Sequence, residues 1–427
     1  MFERIHPTDV FTPNRFPLQK HNVYAARRDA EASIRSGLAR AQAPVLYGEY
    51  GVGKTTLVKR YFYDRNEGGI VIEFLTPAGK GFDDVVKAVL EKLDYEVVVS
   101  RENKATVSAT GESDVSFFGM LKAKIKLKGE STGSERLELV VSSPTDQGFL
   151  HIAADAKVTI VIDEMHKSSP SFRQQLAEMI KAANNLGEGY ARFVLIGTTL
   201  DASKLVDHDA GIDRLIREVK LSVMTEEESR FIITDGMKRL GVSISEELIN
   251  RIVSTAAGAP SLLQEICLDV AELAVTRDEK SVKDDDVDQA IRNFVLNSEA
   301  RLTRRYMLAT NTVGVKQYRK QILKAAANLD REFFTMDDLT SLVSQYVGED
   351  VPASSLSGPL RELKDSQYGS VLTDVETPVG GRAYNLNAFK DPRMKAFIRA
   401  MNAVEEQGLL PTVQEVETLP PYLEEVD

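Results

Sequence analysis

Four short apolar runs mark the first half of the chain: PVLY (44–47), GIVIEF (69–74), VTIVIDE (158–164) and RFVLIGTT (192–199). Their length and branched residues fit strands, and VTIVIDE shows no polar alternation, as expected of a strand covered on both faces of a parallel sheet. From Lys54 to Tyr63 the spacing turns helical, with Leu57, Val58 and Phe62 as apolar positions. Between residues 111 and 141 the period falls to two, predicting two strands joined at GEST. In the first of these, Leu121, Ala123, Ile125 and Leu127 share one face and Lys122, Lys124, Lys126 and Lys128 the other.

Beyond residue 224 the pattern is mostly helical. TEEESRFIITDGMKRLG (225–241) opens on a capping threonine with early acids and closes on glycine, and KDDDVDQAIRNFVLN (283–297) repeats that logic. Helices are predicted at 315–328 and 335–346, then in PASSLSGPLRELKDS (352–366), where Pro359 suggests a start at the proline rather than at Ser354. SVLTDVETPVGGRAYNLN (370–387) reads as a hairpin turning at its glycines.

A chain of 427 residues exceeds one ordinary core, so two or three domains are expected. The formal charge of −11 excludes a protein basic over its whole surface, and any basic face must be local. A single cysteine, Cys267, rules out an intrachain disulfide and a cysteine-rich zinc site. The first ten residues lack a signal-peptide pattern and no run approaches eighteen apolar residues, so a cytoplasmic protein with no membrane partner is expected.

Chemistry gathers where strands end. After the first run comes Gly48-Glu49-Tyr50-Gly51-Val52-Gly53-Lys54-Thr55-Thr56, the phosphate-loop pattern in its strand–loop–helix context. Glycines let successive N–H groups face phosphate oxygens at a helix amino end; Lys54 would reach the β- and γ-phosphates and Thr55 would ligate Mg²⁺. The third run ends in Asp163 and Glu164. Asp163 suits the metal shell and Glu164 the attacking water, and the bland alternative is an acidic cap for the next helix. Thr198 or Thr199, closing the fourth run, would sense the γ-phosphate or simply cap a turn.

With these strands in this order, the chain resembles the AAA+ ATPases over about residues 15–400, in particular the branch of origin-recognition, initiator and transposition-helper ATPases. The resemblance implies an α/β P-loop NTPase core at 1–223, a parallel sheet between helices with an inserted hairpin at about 100–145. It further implies a helical lid at 224–298, a winged helix at 303–400 and an acidic tail at 401–427. An arginine, Arg214 or Arg217, would reach a neighbouring subunit's nucleotide, which makes a homo-oligomer the expected form; the alternative is a surface arginine paired with Asp213 or Glu218. Val23 and Tyr24 match the lead-in to the adenine pocket, with Arg27 and Arg28 beside them. Where many relatives place a sensing arginine after Gly-x-Pro, this chain has Ser261.

Residues 301–400 carry fifteen basic and eleven acidic side chains, a net of +4, whereas 401–427 hold seven acids and no lysine or arginine. The resemblance and this segregation lead to an ATP- and Mg²⁺-dependent switch acting on or near double-stranded DNA, of the initiation, transposition or defence type. The rival is a signalling scaffold whose winged helix and tail dock a protein effector, because the winged helix offers only Arg361 and Lys364 against Glu362 and Asp365 on its third helix. No base-selective motif separates ATP from GTP.

Overall fold

In the computed structural model the described residues are 5–65, 69–76, 81–93, 95–96, 126–127, 147–186, 191–197, 211–277, 279–298, 300–311, 318–329, 331, 333–379 and 382–410. Thr198, Thr199, most of the predicted lysine hairpin and residues 411–427 lie outside them. The chain forms two compact units, one of residues 27–48 and 54–221, the other of 1–26, 49–53 and 222–427.

The first unit is a sheet between helices. Its elements are α2 (Arg28–Ala39), β1 (Ala43–Tyr47), α3 (Lys54–Arg65), β2 (Ile70–Leu75), α4 (Phe82–Lys92), the two-residue strands β3 (Tyr95–Glu96) and β4 (Lys126–Leu127), α5 (Gln147–Asp155), β5 (Val158–Asp163), α6 (Pro170–Asn185), β6 (Arg192–Ile196) and β7 (Ile216–Lys220). Five strands pair in the order β2-β5-β6-β1-β7, all parallel, so their carboxyl ends share one edge. All six residues of β5 are buried, as its unbroken apolar run predicts. Phe172 of α6 stacks on Phe74 of β2 and tilts against Phe82 of α4, joining sheet and helices. In α3 it is Tyr61 that is buried with Leu57 and Val58, while Phe62 is only half-buried. The described part of the lysine strand, β4, pairs antiparallel with β3.

The second unit contains α1 (Pro7–Val10) and four helices, α7 (Glu226–Arg239), α8 (Glu246–Ala256), α9 (Pro260–Thr276) and α10 (Asp284–Asn293). Val10, Phe11, Val23 and Ala25 share their core, so the amino-terminal stretch packs with these helices although the sequence grouped it with the sheet. Phe11 lies where a Cβ on Gly236 of α7 would stand 2.4 Å from its ring, so only glycine admits it. The predicted capping box at Thr225 is present: its hydroxyl accepts from Glu228 N–H, and Glu228 accepts from Thr225 N–H.

Further along come α11 (Ala300–Thr310), α12 (Tyr318–Asn328), α13 (Met336–Val347), α14 (Ala353–Glu362), β8 (Leu372–Val379), β9 (Arg382–Phe389) and α15 (Arg393–Glu406). Phe334, between α12 and α13, forms a single antiparallel bridge with Asn387 of β9, fastening that turn to the β8–β9 hairpin. Two expectations are corrected. Helix α14 starts at Ala353 and carries Pro359 inside it, held by buried Leu356 and Leu360. And the boundary drawn at residue 400 cuts α15, whose Met401, Ala403 and Val404 are core residues rather than tail.

Candidate nucleotide site

The loop after β1 is shaped by glycine. At Gly48 φ is +152°, and a Cβ there would lie 2.1 Å from the carbonyl oxygen of Leu221, whose own N–H bonds Tyr47. No other residue fits that approach. Lys54 Nζ donates to the Gly48 carbonyl at 2.8 Å, folding the lysine back over the loop that opens α3. Within the loop Tyr50 is exposed, Val52 is buried and Gly51 and Gly53 have positive φ, while Thr56 is half-buried in α3.

Beside the first turn of α3 stands the end of β5. The Thr55 hydroxyl donates to Asp163 Oδ2 at 2.7 Å, joining residues 108 positions apart, and the other carboxylate oxygen accepts from Glu164 N–H at 2.7 Å. Asp163 is buried, so this carboxylate is held by two donors rather than by water. Glu164 sits in the left-handed region at φ 60°, ψ 38°, a conformation costing a non-glycine residue roughly 1–3 kcal/mol and met mostly at functional turns. Its carboxylate pairs with Lys167 at 2.8 Å. Of the acidic-cap alternative only the position remains: Glu164 precedes the 3-10 turn Met165–Lys167 but makes no side-chain cap bond to it, and α6 is capped by Ser169, whose hydroxyl accepts from Phe172 N–H.

One residue of this corner escaped the sequence reading. Thr76 follows β2, donates its N–H to the Asp163 carbonyl, and buries a hydroxyl that has no hydrogen-bond partner among the described residues. A hydroxyl directly after the GIVIEFL run, on the strand next to the acidic one, was the available signal.

The remaining candidates are placed individually. Arg214 and Arg217 are exposed, one in the turn before β7 and the other on that edge strand, and among the described residues neither pairs with Asp213 or Glu218. Val23 is fully buried in the core of the second unit, bonded through N–H to Val10, and Tyr24 is half-buried. Ser261 is exposed in the first turn of α9, next to Pro260, whose Cγ lies 3.7 Å from where a Cβ on Gly53 would stand. Neither Glu49's partners nor Thr76 belongs to the residues foreseen; Glu49 accepts from Lys395 and Arg399 of α15.

With this geometry in place, residues 38–206 match the family model described as an AAA domain. That segment is an AAA domain. Its sheet and phosphate loop make it a P-loop NTPase core, and the protein is a nucleotide-binding ATP hydrolase. Solved structures similar to the chain include Cdc6p from Pyrobaculum aerophilum, at 15% identity over 95% of this chain and 99% of that one, TM-score 0.45. The Aeropyrum pernix ORC2 protein, in a complex with ADPNP and ADP, is similar at 13% identity over 93% and 99%, TM-score 0.47. So is the Walker-type ATPase PABY2304 of Pyrococcus abyssi, at 16% over 90% and 99%, TM-score 0.46. Among the described residues no helix is long and apolar enough to cross a membrane.

Proposed function

We propose that this ATPase is an Mg²⁺-ATP switch that acts as an oligomer, on or near DNA. The observation that carries the hydrolytic part is the Thr55–Asp163 hydrogen bond with Glu164 beside it. Thr55 and Asp163 offer the hard oxygens that Mg²⁺ accepts alongside phosphate oxygens and water, so this donor set fits that ion. When bound there, Mg²⁺ would neutralise charge on the β- and γ-phosphates.

Lys54 would exchange the Gly48 carbonyl for phosphate oxygens, drawn by their greater charge. Glu164 would orient a water and take its proton as the water oxygen bonds the γ-phosphorus. The bond from that phosphorus to the β–γ bridging oxygen then breaks, giving ADP and phosphate. Exposed Arg214 or Arg217 would supply transition-state charge to a neighbouring copy, and Thr198 or Thr199 would read the γ-phosphate. Tyr24, half-buried, remains the proposed base contact, whereas Val23 is closed into the core and is withdrawn from that role.

For the DNA part, the winged-helix reading is supported by the order of α12, the Phe334 bridge, α13, α14 and the β8–β9 hairpin, and Arg361 is exposed on α14. A protein effector is the second reading, and one observation favours it: Lys364 is already paired with Asp374, and Glu362 with Arg319. That leaves Arg361 as the exposed cation of the helix.

The test is ATP turnover against protein concentration, with and without duplex DNA, for the wild type and Glu164→Gln. Specific activity rising with concentration and DNA, and lost in the variant, supports the oligomer on DNA; indifference to DNA moves the reading to the protein effector.

A further inference from the structure

Glu49, the second residue of the phosphate loop, is held by two cations from the last helix. Arg399 approaches it end-on, Nη1 to Oε2 at 2.9 Å and Nη2 to Oε1 at 3.2 Å, and Lys395 Nζ reaches Oε1 at 2.5 Å. Both cations are fixed from behind: Lys395 donates to the Arg331 carbonyl at 2.6 Å, and Arg399 Nε to the Ala327 carbonyl at 2.6 Å. The three side chains are mostly withdrawn from water, Lys395 to 6% exposure, Arg399 to 14% and Glu49 to 17%. Three such charges are expensive to bury unless they meet, so the contact fixes its members in one geometry. It also lies one peptide from Gly48, whose carbonyl holds Lys54.

We propose that Lys395 and Arg399 are positioning residues for the nucleotide, acting through Glu49 to keep the phosphate loop in its binding shape. This rests on the reading of that loop as the nucleotide site. A loop held in shape beforehand loses less freedom when phosphate binds, so breaking the contact weakens binding. Coupling of this kind is reciprocal, so bound nucleotide tightens α15 in return. The carboxy-terminal module thereby reports on the nucleotide, and a partner that pulls α15 away lowers nucleotide affinity.

The experiment measures affinity for a slowly hydrolysed ATP analogue with Mg²⁺, by calorimetry on the full chain. It is paired with hydrogen exchange of residues 393–406 with and without the analogue. Glu49→Gln leaves Lys395 buried without its carboxylate and is expected to lose stability as well as affinity. The deciding variant is therefore the triple Glu49→Gln, Lys395→Met, Arg399→Met, which removes all three charges together and is expected to melt near the wild type. It should bind the analogue at least about fivefold more weakly, the low end of common coupling factors. Its residues 393–406 should no longer gain protection from the analogue, while those of the wild type do; Arg399→Lys should retain part of the affinity. A folded triple variant binding as tightly as the wild type, or more tightly, overturns the proposal. So does a wild type that binds the analogue with no change in exchange at 393–406. Failure of the wild type to bind at all, with Lys54→Ala no different, overturns instead the reading of the loop on which the proposal stands.

Discussion

Glu164 occupies a backbone conformation that its side chain disfavours, with its N–H on Asp163 and its carboxylate on Lys167. Glu164→Gln keeps the shape and loses the proton acceptor, so turnover should fall by about 10²–10⁴-fold with nucleotide affinity retained, the range expected of a general base. Steady-state turnover beside equilibrium binding checks this; equal loss of both would make Glu164 a binding group. Gly48→Ala should act on folding as well, since its methyl would overlap the Leu221 carbonyl oxygen. A loss of about 2 kcal/mol or more is expected, read from the denaturation midpoint. At this scale the sequence was informative. Gly48, Lys54, Thr55, Asp163 and Glu164 were legible because their spacing is set by loop and strand geometry, whereas Thr76 was not, because a single hydroxyl has no pattern.

Among elements, the helix ends were the most legible features, being local. Thr225→Ala removes a hydroxyl that accepts from Glu228 N–H and should cost about 1 kcal/mol by denaturation. At the amino end of α10, burial by itself would raise the Asp286 carboxyl, but two bonds from Arg277 and one from Lys283 N–H outweigh it and hold the group below the usual carboxylate range. A lowered folded value means stability that is present above the unfolded value and lost as pH falls through the folded one. Acid titration of the melting temperature should therefore decline below about pH 4, the unfolded aspartate range, and Asp286→Asn should flatten part of that decline. Helix α14 was misjudged for the opposite reason. Pro359 breaks a local rule, and Leu356 and Leu360 override it from the core. Pro359→Ala should raise the denaturation midpoint, since Ser355 regains a helical partner for its carbonyl; an unchanged midpoint would mean the surrounding core already sets the helix.

For the whole molecule, the prediction concerns assembly. Arg214 and Arg217 are exposed, and among the described residues neither pairs with Asp213 or Glu218, which is consistent with the proposed service to a second copy. Dilution should lower specific ATPase activity, and mixing Glu164→Gln subunits with an Arg214→Ala, Arg217→Ala double variant should restore turnover above either alone. No restoration in the mixture would place the completing arginine in the same subunit or remove it from the reaction. By itself, the sequence determined the parallel sheet, the phosphate loop and the acids at the end of β5. Strands buried on both faces must be apolar runs, and chemistry placed at their ends interrupts the run visibly. Only the tertiary structure decided that Val10, Phe11, Val23 and Ala25 pack with α7–α10, that α15 continues beyond residue 400, and that Glu49 meets Lys395 and Arg399. Those contacts join positions up to 350 residues apart, and a charge leaves no mark in the chain of the partner that folding will bring to it.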